Sequence, residues 1–163
     1  YEKSLLKQVL CQVLADFKES GVFDVHVGLK KVAKPTKKAL MFLSSNLGLN
    51  LTADSCKIGH QARVRSGSCV RKDVVLITNP ANDDAIECGE VWLHAECMGT
   101  CLSLVSVWTY LSHDKPKGLM TWRKADNPIL LPTSEILCAV KHRHLQANAV
   151  AVVVPPQLKS SLK

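Results

Sequence analysis

The feature that most constrains this fold is the long apolar run at residues 86–111, which more polar and more basic segments flank. The run is rich in Val, Trp, Leu and Thr, which suit a pleated strand better than a helix. Gly99 lies near its centre, where it can supply the positive φ of a tight turn. The pattern therefore predicts a hairpin in which residues 89–97 pair with residues 101–111.

Alternation along the hairpin indicates which faces are buried. One face of the first strand is apolar and is predicted to be core: Val91, Leu93, Ala95 and Cys97. The other face of that strand carries Trp92, His94 and Glu96. The second strand has apolar side chains on both faces, which is typical of a strand inside a sheet.

Helical periodicity is confined to the first 50 residues. Residues 2–19 repeat apolar side chains at spacings of three and four, which predicts a first helix, and a short strand is predicted at residues 22–27. A second helix is predicted to begin after Pro35, with Thr36 as its N-cap, and to end at Gly48.

After residue 56 the pattern changes to short strands, predicted at residues 58–64, 70–78, 119–124, 136–141 and 149–154. The predicted fold class is therefore α+β, with two N-terminal helices packed against a mostly antiparallel sheet or small β-barrel. We expect one compact domain with a helical part at residues 1–50, a β-rich part at residues 51–156 and a mobile tail at residues 157–163.

The chain of 163 residues has a net charge of +7, which favours an acidic partner such as nucleic acid. Nine basic residues are predicted to contact phosphates: Lys30, Lys31, Lys34, Lys37, Lys38, Arg63, Arg65, Arg71 and Lys72. Lys37 and Lys38 would lie in the first turn of the second helix, where the helix dipole disfavours positive charge. A bound anion such as phosphate is one explanation for them, and a solvated, mildly repulsive surface is the other.

The seven cysteines lack the regular spacing of a disulfide scaffold, and most lie among apolar residues. They are interpreted as buried thiols of an intracellular protein in a reducing compartment, without distinguishing nucleus from cytoplasm. Glutamates and His94 interrupt the central apolar run, so no membrane span is predicted.

Three side-chain patterns bear on metal binding or catalysis. His94-Ala95-Glu96 matches the triplet with which zinc deaminases bind zinc and move protons, but the downstream Pro-Cys-x-x-Cys pair of those enzymes is missing. Cys97 and Cys101 supply half of a structural zinc site. The candidates for the other half are Cys56 with His60, and His142 with His144, between which spacing does not decide. Pairs of cysteine and histidine also suit nucleophilic catalysis, but no spacing singles one out. No catalytic residue, metal ligand or cofactor is therefore predicted.

Four segments occur in the order VVLI at residues 74–77, GEVWLHAEC at 89–97, SLVSVWTYL at 103–111 and PTSEILCAV at 132–140. In this order they resemble the bromo-adjacent homology modules of chromatin proteins, in which a barrel strand ends in a Trp-x-Tyr-like pair and a later segment leads into a Cys-x-Val-like strand. The resemblance implies a binding module rather than a catalyst.

These features predict a basic interaction domain that contacts the phosphates of nucleic acid or nucleoprotein without reading base sequence. Protein partners are also expected through the β-rich part. Two alternatives remain at this point: a structural or assembly subunit of a larger complex, and a zinc-dependent hydrolase or deaminase-like enzyme.

Overall fold

The computed structural model describes residues 28–64 and 66–159. Within this part, one α-helix, α1, spans Lys37–Leu47. The twelve strands are β1 (Leu29–Ala33), β2 (Cys56–Val64), β3 (Gly67–Val70), β4 (Val74–Asn79), β5 (Ala85–Cys97), β6 (Thr100–Val107), β7 (Thr109–Asp114), β8 (Leu119–Arg123), β9 (Pro128–Pro132), β10 (Ile136–Ala139), β11 (His142–His144) and β12 (Ala149–Val153). Single-turn 3₁₀ helices lie at Pro80–Asn82, Thr133–Glu135 and Pro156–Leu158.

The strands form two antiparallel sheets. Eight strands make one sheet that curls into a half-barrel, in the order β1-β2-β5-β4-β10, with β3 beside β2 and β6 between β5 and β9. The second sheet has the order β11-β12-β8-β7. The long strand β5 organises the half-barrel, because one of its edges pairs first with β4 and then with β2 while the other pairs with β6.

The predicted fold class, two N-terminal helices packed on a sheet, is wrong. Strands make up 56% of the described residues, and α1 is the only α-helix among them, so the architecture is mostly β. The basic segment that precedes α1 forms β1 against β2, and α1 itself fully buries only Leu43, so it makes no layer of its own. The predicted helix at residues 2–19 and strand at residues 22–27 lie outside the described residues.

The predicted second helix is present as α1, with the predicted ends. The hydroxyl of Thr36 accepts a hydrogen bond from the backbone N–H of Ala39 at 3.2 Å, which satisfies one of the free donors of the first turn. Gly48 ends the helix in the left-handed conformation with φ 63°, which costs glycine less than any other residue.

The predicted hairpin is present as β5 and β6, but its second strand is shorter than expected. Met98 and Gly99 both have positive φ, 51° and 79°, as in a two-residue type I′ turn. The pairing of β5 with β6 ends at Val107, after which Trp108 leaves the half-barrel and the chain enters the second sheet as β7. This change of sheet places Trp108 between the two sheets.

Three clusters of buried side chains form the core. The first includes Leu76 and Cys88 of the half-barrel together with Met120, Trp122 and Val150 of the second sheet, so it joins the two sheets. The second fills the half-barrel. The third lies under α1, around Leu43. Among the described residues, no helix has the length and apolar character needed to cross a membrane.

Candidate binding site

An aromatic cleft opens where the second sheet meets β5. Trp108 is fixed there because its backbone N–H donates to the carbonyl of Cys88 at 2.9 Å. β7 and β8 carry Tyr110 and Trp122 at directly opposite positions. The cleft has a volume of about 560 Å³ and is lined by Asn82, Ala85, Ile86, Glu87, Trp108, Thr109, Tyr110, His113, Met120 and Trp122.

Two of the aromatic side chains of the cleft meet edge to face. The ring centroids of Tyr110 and Trp122 are 5.4 Å apart, and the ring planes cross at 76°. Tyr110 is 49% exposed, whereas Trp108 and Trp122 are buried. Because the face of an aromatic ring carries partial negative charge, a ring face that borders the cleft favours a cation or an apolar group over an anion.

The indole N–H of Trp122 is buried and has no hydrogen-bond partner within the part of the chain that the structure describes. Leaving such a donor unpaired costs about 1–3 kcal/mol.

One side of the cleft is acidic. The two carboxylate oxygens of Glu87 accept hydrogen bonds from the side-chain amides of Asn79 and Asn82, each at 2.7 Å, so the charge is held in place. No cation pairs with Glu87 among the described residues, where the only ion pair joins Lys117 and Asp114 at 3.2 Å. Because two further carboxylates, Asp83 and Asp84, are exposed next to Asn82, this region is acidic in a basic protein.

Trp108 already contacts a cation on another side. The ammonium of Lys124 lies 5.7 Å from the centre of the Trp108 ring, and both side chains line a second, smaller cleft of about 330 Å³. The ring therefore lies in a setting that accommodates positive charge.

Three of the predicted phosphate-contacting residues, Lys30, Lys34 and Arg63, are exposed on or next to the strand pair β1 and β2. Lys30 lies opposite Gln61 in the pairing of β1 with β2, so Arg63 is its diagonal neighbour on the same face. Lys34 lines a cleft of about 350 Å³ together with Lys57, a basic residue that the sequence interpretation did not select. The structure therefore brings Lys30 close to Arg63, and Lys34 close to Lys57.

The remaining predicted residues are placed separately. Lys31 is exposed at a positive φ of 53° on β1, and Lys37 and Lys38 are exposed in the first turn of α1, which has no acidic residue. Arg71 donates through Nε to the carbonyl of Trp92 at 2.8 Å, so part of its guanidinium is engaged on β5. Lys72 follows it in a turn, and Arg65 lies outside the described residues.

The central histidine belongs to a buried polar network. Its Nδ1 lies 2.8 Å from the hydroxyl of Ser103, and its Nε2 lies 3.4 Å from the thiol of Cys69. Ser103 in turn lies 2.9 Å from the hydroxyl of Thr133. Burial lowers the pKa of His94 to about 4 and raises that of Cys69 to about 12, so both are neutral at pH 7 and shielded from any substrate.

The cysteine pair considered for zinc does not converge. In the pairing of β5 with β6, Cys97 lies opposite Thr100 and Glu96 lies opposite Cys101, so the two thiols belong to opposite faces of the hairpin. Within residues 28–64 and 66–159, no group of three or more histidine, cysteine or acidic side chains is arranged to hold a metal ion.

Comparison with known proteins gave no relative: no family model, no curated protein and no solved structure matches this chain.

Sequence interpretation missed the aromatic cleft. Trp108 and Tyr110 are two residues apart, so alternation alone indicates a shared face. Trp122 and Glu87 join them only because β8 pairs with β7 and the start of β5 lies beside Trp108. Neither contact is predictable from the local sequence pattern.

Proposed function

We propose that this chain is a non-catalytic interaction module whose aromatic cleft binds a cationic side chain of an extended, basic peptide. The observation that carries the proposal is the combination of Trp108, Tyr110 and Trp122 with the carboxylate of Glu87, which has no cationic partner among the described residues. Aromatic faces and a fixed carboxylate both attract a cation, and both act more strongly where water is excluded.

The chemistry of the cleft favours an alkylated ammonium over a simple one. Aromatic rings are weak hydrogen-bond acceptors, and Glu87, whose oxygens accept from Asn79 and Asn82, has room for only about two further hydrogen bonds. An ammonium with three N–H groups would therefore lose hydrogen bonds to water without replacing all of them. A trimethylated lysine has no such donors to satisfy and keeps its charge, so it is the side chain that this cleft suits best.

The β7 edge of the second sheet has backbone groups with which an extended peptide could pair. β7 pairs only with β8 among the described strands, so its other edge has no strand partner there. Natural edge strands are commonly blunted by lysine or proline, and β7 contains neither, while Tyr110 and Leu111 are exposed on it. An extended peptide pairing with this edge would pass directly beside the aromatic cleft.

Replacing Tyr110 by Ala is expected to weaken binding of a trimethyllysine peptide about tenfold, because one wall of the cleft is lost. The probe is an unstructured peptide of Gly, Ser, Ala and Arg with one trimethyllysine, and the measurement is isothermal titration calorimetry. The matched control is Leu111→Ala, which removes a neighbouring exposed side chain of β7 that does not line the cleft. Leu111→Ala should bind the peptide nearly as well as the original protein.

A second peptide tests the role of charge. It carries a neutral side chain of the same shape, with a tert-butyl group in place of the trimethylammonium. We expect it to bind at least several-fold more weakly. Equal affinity for the two peptides, or no binding of either, would overturn the proposal of a cation site.

A second candidate function is contact with nucleic acid through the basic surface of β1, β2 and α1. It is supported by the exposure of Lys30 and Arg63 at diagonal positions of one sheet face, without an ion-pair partner for either among the described residues. Such residues would neutralise phosphates and position the protein without reading base sequence.

For this second function, affinity for duplex DNA is expected to fall steeply as salt rises, because bound counterions are released on binding. Changing Lys30 and Arg63 together to Ala should flatten the slope of log affinity against log salt by about 2. The control changes Lys115 and Lys141 to Ala, which removes the same charge from exposed positions outside the predicted set. Fluorescence anisotropy with a labelled duplex measures both. An equal effect of the two double variants would show that net charge alone, rather than this surface, drives binding.

A further inference from the structure

Two cysteine side chains face each other across the pairing of β2 with β5. Cys56 and Cys97 occupy directly opposite positions, and their sulfur atoms are 3.3 Å apart. They are only 2% and 4% exposed and belong to the core cluster under α1. The two thiols are 41 residues apart in the chain, so only the sheet brings them together.

The backbone geometry at this position suits a covalent link. The N–H of Met98 donates to the carbonyl of Ser55 at 3.1 Å, so the preceding pair in the ladder is the hydrogen-bonded one. Cys56 and Cys97 therefore form a pair without backbone hydrogen bonds, in which Cα atoms are about 4.5 Å apart and side chains approach most closely. That spacing lies within the range that disulfides span, about 4.4–6.8 Å.

One of the two cysteines lines a cleft, although its side chain is only 2% exposed. Cys56 lines the cleft of about 350 Å³ that also contains Lys34, Lys57 and Asp54, whereas Cys97 does not line it. With two lysines and one aspartate, the cleft has an excess of positive charge that favours an anionic reagent. Oxidised glutathione, an anionic disulfide, meets this description.

We propose that Cys56 and Cys97 form a modification site for thiol–disulfide exchange with small anionic disulfides. The Cys56 thiolate attacks one sulfur of oxidised glutathione, forms a new S–S bond and releases one glutathione thiolate, which takes up a proton. The Cys97 thiolate then attacks the sulfur of Cys56, closes the protein disulfide and releases the second glutathione. The protein loses two electrons and two protons, and one glutathione disulfide is reduced to two thiols.

The second step requires the thiolate of Cys97. Burial raises the pKa of Cys97 to about 12, with smaller contributions from the neighbouring Cys56 and from the charge of Glu96. Once Cys56 carries glutathione it is no longer a thiol, so its contributions disappear while those of burial and Glu96 remain. Since the thiolate is the attacking species, closure of the disulfide should accelerate as pH rises above 7.

The experiment exposes the full chain to oxidised glutathione and maps its disulfides by mass spectrometry after proteolysis without reductant. We expect the peptide that contains Cys56 to become joined to the one that contains Cys97, with loss of two hydrogen atoms. The link should form faster at pH 8.5 than at pH 7 and should disappear with dithiothreitol. The urea midpoint of unfolding should rise when the link forms, because the link restricts the unfolded chain.

Single-residue variants show which sulfur takes part in each step. Cys97→Ala should stop the reaction at a glutathione adduct on Cys56, and Cys56→Ala should prevent both the adduct and the link. Cys101→Ser is the control, because Cys101 lies on the opposite face of the hairpin and should not affect the link. The proposal is overturned if Cys56 does not react, or if it becomes joined to another cysteine. It is also overturned if Cys97→Ala forms no glutathione adduct on Cys56, or if Cys56 in the original protein stays a stable glutathione adduct at pH 8.5.

Discussion

Gly89→Ala is expected to destabilise the protein by about 3 kcal/mol, enough to lower the folding equilibrium constant more than a hundredfold. A Cβ added at Gly89 would overlap the backbone carbonyl of Ser106 and would lie 2.7 Å from Cγ1 of Val105. Backbone cannot rotate away as a flexible side chain can, so the pairing of β5 with β6 would have to shift. Urea denaturation followed by tryptophan fluorescence measures the change.

The matched control for this prediction is Gly28→Ala. Among the described residues, a Cβ at Gly28 would meet no heavy atom within 4 Å, and Gly28 has no positive φ that a side chain would strain. The control should change the free energy of unfolding by less than about 1 kcal/mol. Equal stability of Gly89→Ala and Gly28→Ala would show that β5 and β6 are not as closely packed as the structure indicates.

Acidification is expected to remove about 3 kcal/mol of stability through His94 alone. Burial is the main cause that lowers the pKa of His94 from 6.5 to about 4, while the hydrogen bond with Cys69 and the charge of Asp73 act weakly in the opposite direction. Between about pH 4 and pH 6.5, His94 is therefore protonated in the unfolded chain and neutral in the folded protein. Stability from this group is complete above about pH 6.5 and is lost as pH falls towards 4.

His94→Gln isolates this contribution from that of the carboxylates. The glutamine amide can still hydrogen-bond to Ser103 but does not titrate. The free energy of unfolding of His94→Gln should therefore change less between pH 7 and pH 4 than that of the original protein. The expected difference is about 3 kcal/mol, slightly less than the full shift of 2.5 pKa units at about 1.4 kcal/mol each, because His94 is only half protonated in the folded protein at pH 4. Parallel pH profiles, or an NMR titration of His94 near pH 6.5, would contradict it.

Gly89 and His94 both lie on β5. β5 has partners on both edges and cores on both sides, so its residues cannot adjust independently. The bulge between Val91 and Leu93 changes the alternation within the strand, which is why His94 is fully buried although the sequence placed it opposite the core face.

The proposed peptide site and the proposed thiol site lie in different parts of the fold. The cleft depends on the second sheet, whereas Cys56 and Cys97 join β2 to the end of β5 under α1. Oxidation of the thiols would therefore leave the walls of the aromatic cleft in place, and the two proposals can fail independently.

Local chemistry made part of the fold predictable from the sequence. The cap at Thr36 and the left-handed Gly48 define the ends of α1 because each interaction lies within a few residues. Gly99 identified the turn between β5 and β6 for the same reason. The strand formed by the basic stretch before α1 was not predictable in this way. Whether a lysine-rich segment forms a strand depends on an available sheet edge, here that of β2.

The sequence by itself therefore determined the hairpin turn, the bounds of the second helix and the net charge, all of which follow from neighbouring residues or from composition. Only the tertiary structure decided that Trp108 leaves the half-barrel, that Glu87 and Trp122 meet beside it, and that Cys56 faces Cys97. These contacts join residues on different strands, and strand order and register arise from the packing of the whole chain.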